Sequence, residues 1–188
     1  MEVSPIKIKR RIKRNPKKEI ATFIVLLIVV IIAFVFSVRY IVTKDEPLNK
    51  AAHVKTRSLL FTLRMKKTHY NLGEPIQLIL EVRNIGSKPV VVKFNESLEY
   101  DFLVQRETDL LFMRIPASLW RYSANRAIQP GRHTITLQPQ ETKAYKGIWD
   151  QKDSGGRQVK AGLYIITGTI NLAGKSTELQ MRGKMGDR

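Results

Sequence analysis

The chain contains no cysteine. Disulfides, thiolate nucleophiles and cysteine-based zinc sites are therefore absent together. The compartment is left open, because this excludes only a disulfide-rich secreted scaffold. Histidine is nearly as scarce. His53, His69 and His133 are the three present, and no spacing among them matches a metal-ligand pair; each reads as a surface or turn residue. No G-x-S-x-G elbow frames a serine; Ser123 simply follows Trp120-Arg121-Tyr122. There is no Gly-rich phosphate loop, and no carboxylate pair is marked by its neighbours for glycoside chemistry. An enzyme is not indicated, and no cofactor or metal is expected. Acidic residues are also few: 16 Asp and Glu stand against 33 Lys and Arg, a net charge of +17. A nucleic-acid partner would need basic residues interleaved with exposed aromatics or a known module, and neither is visible.

The charge is unevenly spread. Residues 1–19 carry eight Lys/Arg against Glu2 and Glu19, a net of +6. The remaining 25 basic and 14 acidic residues leave +11 for the rest of the chain. Residues 1–19, polar, basic and holding Pro5 and Pro16, read as a disordered cytoplasmic tail. Ile20–Val38, IATFIVLLIVVIIAFVFSV, carry no charge at all. A helix of that length spans roughly 28 Å, close to the hydrocarbon core of a bilayer. The run is longer than the apolar region of a cleaved signal peptide and is followed by Ser37-Val38-Arg39-Tyr40, a poor cleavage site. One transmembrane helix over residues 20–42, with its core at 20–38, is the expectation. The eight basic residues before it outnumber Arg39, Lys44 and Lys50 after it. That bias predicts a single-pass cell-membrane protein with a cytoplasmic N-terminus and an extracytoplasmic C-terminal domain.

Residues 43–57 read as a tether. From Leu59 the pattern changes to period two. Leu59, Phe61, Leu63 and Met65 alternate with Leu60, Thr62, Arg64 and Lys66, which predicts a strand. Further strands are predicted at 76–82, 90–94, 100–104, 134–137, 144–149 and 163–172. Turn signals separate them, among them Asn71-Leu-Gly-Glu-Pro75, Asn84-Ile-Gly-Ser-Lys-Pro89 and Gln129-Pro-Gly131. Residues 105–133 are less regular, and 173–188 lose periodicity and read as a flexible tail. Short strands with no helical period outside the apolar run predict an all-β domain over 58–172. The expected architecture is an immunoglobulin-like antiparallel β-sandwich, with a small barrel as the alternative.

The densest stretch is Trp149–Tyr164, W-D-Q-K-D-S-G-G-R-Q-V-K-A-G-L-Y. Asp150, Asp153, Ser154, Gly155, Gly156 and Gly162 are turn-forming residues between two strands. Trp149 and Tyr164 at its ends read as core pins, with a ligand-stacking pair as the sharper alternative. Asp150 and Asp153 open no convincing calcium loop, because Lys152, Arg157 and Lys160 oppose it and about six oxygens are needed; they read as turn caps. Asn95-Glu-Ser97 fits a glycosylation sequon, a pattern common by chance.

Four segments in order carry a resemblance: Leu80–Phe94 (LEVRNIGSKPVVVKF), Tyr100–Val104 (YDFLV), Leu119–Ser123 (LWRYS) and Trp149–Tyr164. Together they resemble the BsuPI family of intracellular proteinase inhibitors, over about Leu63 to Leu172. The motif residues behind the resemblance are Tyr100, Asp101, Phe102, Trp120, Ser123, Trp149, Asp150, Asp153, Gly156, Gly162 and Tyr164, which read as structural. The last segment is also similar to immunoglobulin-like modules of flagellar hook-capping proteins.

The resemblance implies an immunoglobulin-like sandwich and inhibition of a serine protease by reversible loop binding. Loops 105–118 and 123–133 are candidates for the contact, with Arg114, Arg126 or Arg132 able to enter a pocket for positive charge; the reactive loop stays open. The other reading is a non-inhibitory envelope interaction or assembly module that binds a partner protein or wall polymer, which suits the basic charge outside the tail.

Overall fold

The computed structural model of the chain describes residues 16–42, 48–110 and 113–186. The predicted tail lies largely outside the described residues, as does Thr43–Pro47 of the predicted tether. The chain divides into two units, Met1–Lys44 and Asp45–Arg188.

The first unit holds helix α1, Pro16–Val42, 27 residues long. Proline suits the first helical position because the amide it lacks would be unpaired there anyway. Ser37 Oγ donates to the Ala33 carbonyl one turn back at 2.8 Å. The described large apolar side chains, from Ile20 to Phe34, are each at least half exposed. They have no core to enter within this unit. The expected span, residues 20–42, falls on this helix. Among the described residues no helix is long and apolar enough to cross a membrane; the side chains of Ala21, Thr22, Phe36 and residues 38–42 lie outside those described.

The second unit is built of strands. They are β1 Ala51–Lys55, β2 Leu59–Met65, β3 His69–Tyr70, β4 Ile76–Asn84, β5 Val90–Glu96 and β6 Tyr100–Leu110. They continue as β7 Met113–Arg121, β8 Pro130–Leu137, β9 Thr142–Trp149, β10 Gly162–Ile170 and β11 Thr177–Met185. One sheet has the order β1-β2-β4-β9, another β3-β11-β10-β6-β7, and β5 pairs with β8 in a third. All neighbours are antiparallel save β3, whose two residues pair parallel to β11.

The alternation seen in the sequence places the core. Phe61 and Leu63 of β2 and Ile76, Leu78, Leu80 and Val82 of β4 point inward from the first sheet. Phe102, Val104, Tyr164, Ile166, Ile170, Leu179 and Met181 meet them from the second, in one hydrophobic cluster. Two glycines mark where the layers touch. A Cβ on Gly168 of β10 would lie 2.9 Å from Leu63 Cδ1, and one on Gly147 of β9 would lie 2.8 Å from the Phe102 ring. The all-β sandwich expected from the sequence is the fold of this unit.

Two expected boundaries are corrected. Residues 173–188 were expected to be a flexible tail, but Thr177–Met185 pair along the whole of β10. Leu179, Met181 and Met185 are buried there, while Glu178, Gln180, Arg182 and Lys184 alternate with them. The period of two is present but diluted by Gly183 and by long polar side chains. The tether is corrected at its end: Ala51–Lys55 pair with β2, in the register Ala51↔Arg64 to Lys55↔Leu60. The irregular stretch after Val104 is a long hairpin of β6 with β7. Its register shifts between Val104 and Gln105, so that Trp120 faces Val104 and Ser118 faces Gln105. Leu119 is the extra residue of a β-bulge.

Candidate functional site

The connection Trp149–Tyr164 is a self-capped turn. Asp153 Oδ1 accepts from the Gly155 and Arg157 amides at 2.9 and 3.0 Å. Its Oδ2 accepts from Arg157 Nε at 2.9 Å. These bonds, the Arg157 amide first, hold the Asp153 carboxyl below the usual carboxylate range. Asp150 accepts from the Lys152 amide, and Gly156 sits at φ 78°, a left-handed turn position. Gly162 sits at φ 153° and begins β10. Trp149 and Tyr164 are fully buried, with ring centroids 5.5 Å apart. Their burial in the core cluster accords with the core-pin reading. Trp149 Nε1 donates to the Lys152 carbonyl at 2.9 Å, and the Tyr164 hydroxyl donates to the Lys160 carbonyl. Burial pushes the Tyr164 hydroxyl pKa up.

Gln151 was not among the expected residues, yet it ties this turn to the body. It is buried at φ 59°. Its Nε2 donates to the Asn71 and Glu74 carbonyls at 2.7 and 2.8 Å. Ser154 likewise docks the turn on the hairpin, its amide and Oγ both donating to the Leu119 carbonyl. Beside it a cleft of about 320 Å³ is lined by Arg106, Leu119, Arg157, Lys160 and Tyr164.

A second knot joins the other motif residues. Asp101 of β6 is 6% exposed. Its Oδ1 accepts from the Phe102 amide at 2.8 Å and from the Ser123 amide at 3.0 Å. Its Oδ2 accepts from Ser123 Oγ at 2.7 Å and Arg121 Nε at 2.8 Å. One ionised carboxylate thus uses its full acceptor capacity. The hydroxyl of Ser123 points at a carboxylate, not at a histidine, and is no activated nucleophile. His133 bonds Glu99 instead, at 2.9 Å. Among the described residues no group of three or more His, Cys, Asp or Glu is placed to hold a metal ion.

Beside this knot lies an aromatic cluster. Tyr100 and Tyr122 stack at 5.1 Å, with hydroxyl oxygens 2.6 Å apart. Tyr100 also packs on Tyr145 and Phe102, and Trp120 meets Tyr122 edge-on. The Tyr145 hydroxyl donates to Glu99 at 2.6 Å. Burial, reinforced by that bond, pushes the Tyr145 hydroxyl pKa well up; burial and the bond with Tyr122 do the same for Tyr100.

The knot and the cluster hold a loop. Residues 122–129 leave β7 at Arg121 and enter β8 at Pro130. The Ala124 and Arg126 amides donate to the Arg121 and Ser123 carbonyls, closing a turn. The Arg126 guanidinium lies 4.0 Å over the Tyr122 ring. At the far end the Ser97 amide donates to the Gln129 carbonyl at 2.9 Å, and the Gln129 amide donates to Ser97 Oγ at 3.0 Å. A second opening of about 470 Å³ lies on β5 and β8 nearby, lined by Lys93, Asn95, Arg132, His133 and Thr134.

The motif residues thus form two structural clusters, one at each connection. The profile of the BsuPI family, described as intracellular proteinase inhibitor, matches residues 63–175. The chain belongs to the BsuPI family. No curated protein matches the chain. Several solved structures are similar in part. A β-glucosidase from Listeria innocua with gluconolactone is 14% identical, with 71% of this chain and 17% of that chain covered and a TM-score of 0.37. The sporulation control protein Spo0M from Bacillus subtilis is 11% identical, with 71% and 51% covered and a TM-score of 0.41. The DNA glycosylase AlkC from Pseudomonas fluorescens is 14% identical, with 66% and 29% covered and a TM-score of 0.35. The chain thus spans about a sixth of the glucosidase and about half of Spo0M.

Several residues of the second cluster escaped the sequence reading: Ser97, Glu99, Arg121, Tyr122 and Tyr145. Their partners lie 20 to 46 positions away, and no local spacing signals such pairs.

Proposed function

We propose that this chain is a membrane-anchored inhibitor of a serine protease that binds by a reversible loop contact. The family match over residues 63–175 carries the inhibitor part. In support of a loop contact, an exposed loop leaves a rigid β-domain and is tied to it at both ends. Anchoring rests on the uncharged run Ile20–Val38 and on helix α1 covering it. The Lys/Arg bias supports an orientation with the N-terminus in the cytoplasm and the β-domain outside.

Two measurements test this. The full chain, purified in detergent micelles, is expected to slow at least one of a panel of subtilisin-, chymotrypsin- and trypsin-type proteases at micromolar concentration. Intact activity across the panel would remove the inhibitor reading, leaving the envelope interaction module. For anchoring, the chain is expected to resist carbonate extraction from membranes. A cysteine placed within residues 44–50 should react with a membrane-impermeant label in intact cells; protection there reverses the orientation.

A further inference from the structure

The loop between β7 and β8 is built to enter a cleft. An inhibitor that occupies a protease without being turned over presents a short extended segment, ordered in advance. Its backbone adds to a strand edge and one side chain fills a pocket. The segment 126–129, which begins at the turn closed by the Arg126 amide, is ordered in advance by contacts on both sides. It is fixed on one side by Ser123, bonded through amide and hydroxyl to Asp101, and on the other by Gln129, bonded twice to Ser97. Residues 127–129, directly after that turn, lie in no turn, helix or strand of their own. Among the described residues, the amides of Ala127 and Ile128 have no hydrogen-bond partner, so both are open to a new strand neighbour.

The side chains then decide the pocket. Arg126 is drawn down onto the Tyr122 ring, where it braces the loop instead of extending from it. Arg114 sits in the β6–β7 ladder opposite Asp109, with its backbone already paired. Ile128 is 46% exposed. Other exposed large apolar side chains of the domain are placed differently. Val54, Val91 and Ile148 sit on strands. Leu72 sits inside the turn closed by the Glu74 amide and the Asn71 carbonyl.

Resting on the inhibitor reading above, we infer that segment 126–129 is the protease-contact loop. Ile128 fills the specificity pocket, and the target is a serine protease with an apolar pocket. The contact is non-covalent and leaves the loop peptide intact.

The test uses the full chain in detergent micelles against subtilisin, chymotrypsin and trypsin. Ile128→Asp is compared with Ile148→Asp, an exposed apolar residue on β9. Wild type is expected to slow subtilisin or chymotrypsin more than trypsin. Ile128→Asp should weaken that inhibition about 30-fold or more, as for a central anchor side chain. Ile148→Asp should stay within about twofold. Both variants should melt with the wild type, since both side chains are exposed. Equal inhibition by wild type and Ile128→Asp overturns the loop assignment while the inhibitor reading stands. Stronger inhibition of trypsin overturns the assignment of Ile128 to the pocket. Failure of the wild type against all three removes the inhibitor reading and the loop assignment with it.

Discussion

At the residue scale, the decisive group is the Asp101 carboxylate. It satisfies two backbone amides, a hydroxyl and a guanidinium. Hydrogen bonds to an ionised group contribute about 1.5–3 kcal/mol each. Asp101→Ala is therefore expected to cost about 3 kcal/mol or more in urea unfolding and to release the loop at Ser123. Backbone hydrogen exchange at Ser123–Gln129 should rise in that variant. An unchanged exchange rate there would show that Ser97 alone holds the loop. Trp149 is fully buried, and Trp149→Ala is expected to cost about 3–5 kcal/mol by leaving a cavity. An unchanged melting temperature would refute that packing role. The tyrosines add a pH dependence. Tyr100 and Tyr145 have pKa values raised by burial and by bonds to Tyr122 and Glu99. Their neutral forms are favoured in the folded state. The resulting stabilisation is complete below the unfolded tyrosine value of about 10 and is lost as pH rises through the folded values. Tyrosinate absorbance should thus show a fraction of the tyrosines ionising only when the domain unfolds in alkali.

At the element scale, β11 is the strand that closes the structure. The family match ends at residue 175, whereas the second sheet continues to Met185. Without β11, β10 would expose one edge and β3 would lose its neighbour. Leu179, Met181 and Met185 would leave the core. A chain ending at Leu172 is expected to show no cooperative thermal unfolding by circular dichroism, while the full chain does. Cooperative unfolding of the truncated chain would make β11 an accessory strand. The loop 122–129 is likewise a product of the elements it joins. Its length comes from β7 and β8, and its shape from Asp101 on β6 and Ser97 just after β5.

At the scale of the whole molecule, charge sets how a partner arrives. Many carboxylates are committed within the domain: Glu74 to Lys67, Glu81 to Arg64, Glu99 to His133, Asp101 to Arg121 and Asp153 to Arg157. The net charge beyond residue 19 is +11, from 25 basic and 14 acidic residues. Association with an acidic protease surface should be steered by that field and screened by salt. Raising ionic strength from low salt to about 0.5 M is expected to slow association about tenfold or more, with dissociation little changed. A salt-independent association rate would mean that the net basic charge plays no part in the encounter.

Much of the β-domain was legible from residue order. Alternation at Leu59–Met65 and Ile76–Val82 marked two core strands, because a half-buried strand must repeat every two residues. Asp153 and Gly156 marked the Trp149–Tyr164 turn, because their chemistry acts within four residues. Thr177–Met185 carried the same alternation in weaker form, thinned by Gly183. The candidate site was much less legible. The pairings of Asp101 with Ser123 and of Ser97 with Gln129 span 22 and 32 positions. Such contacts exist only once the sheets are assembled. The sequence by itself determined the strands, their inward faces and the local turns, all set by short-range sterics and hydrophobic period. Only the tertiary structure decided that Arg126 is held on Tyr122 while Ile128 stands free. That depends on which distant side chains the packed sheets bring to the loop.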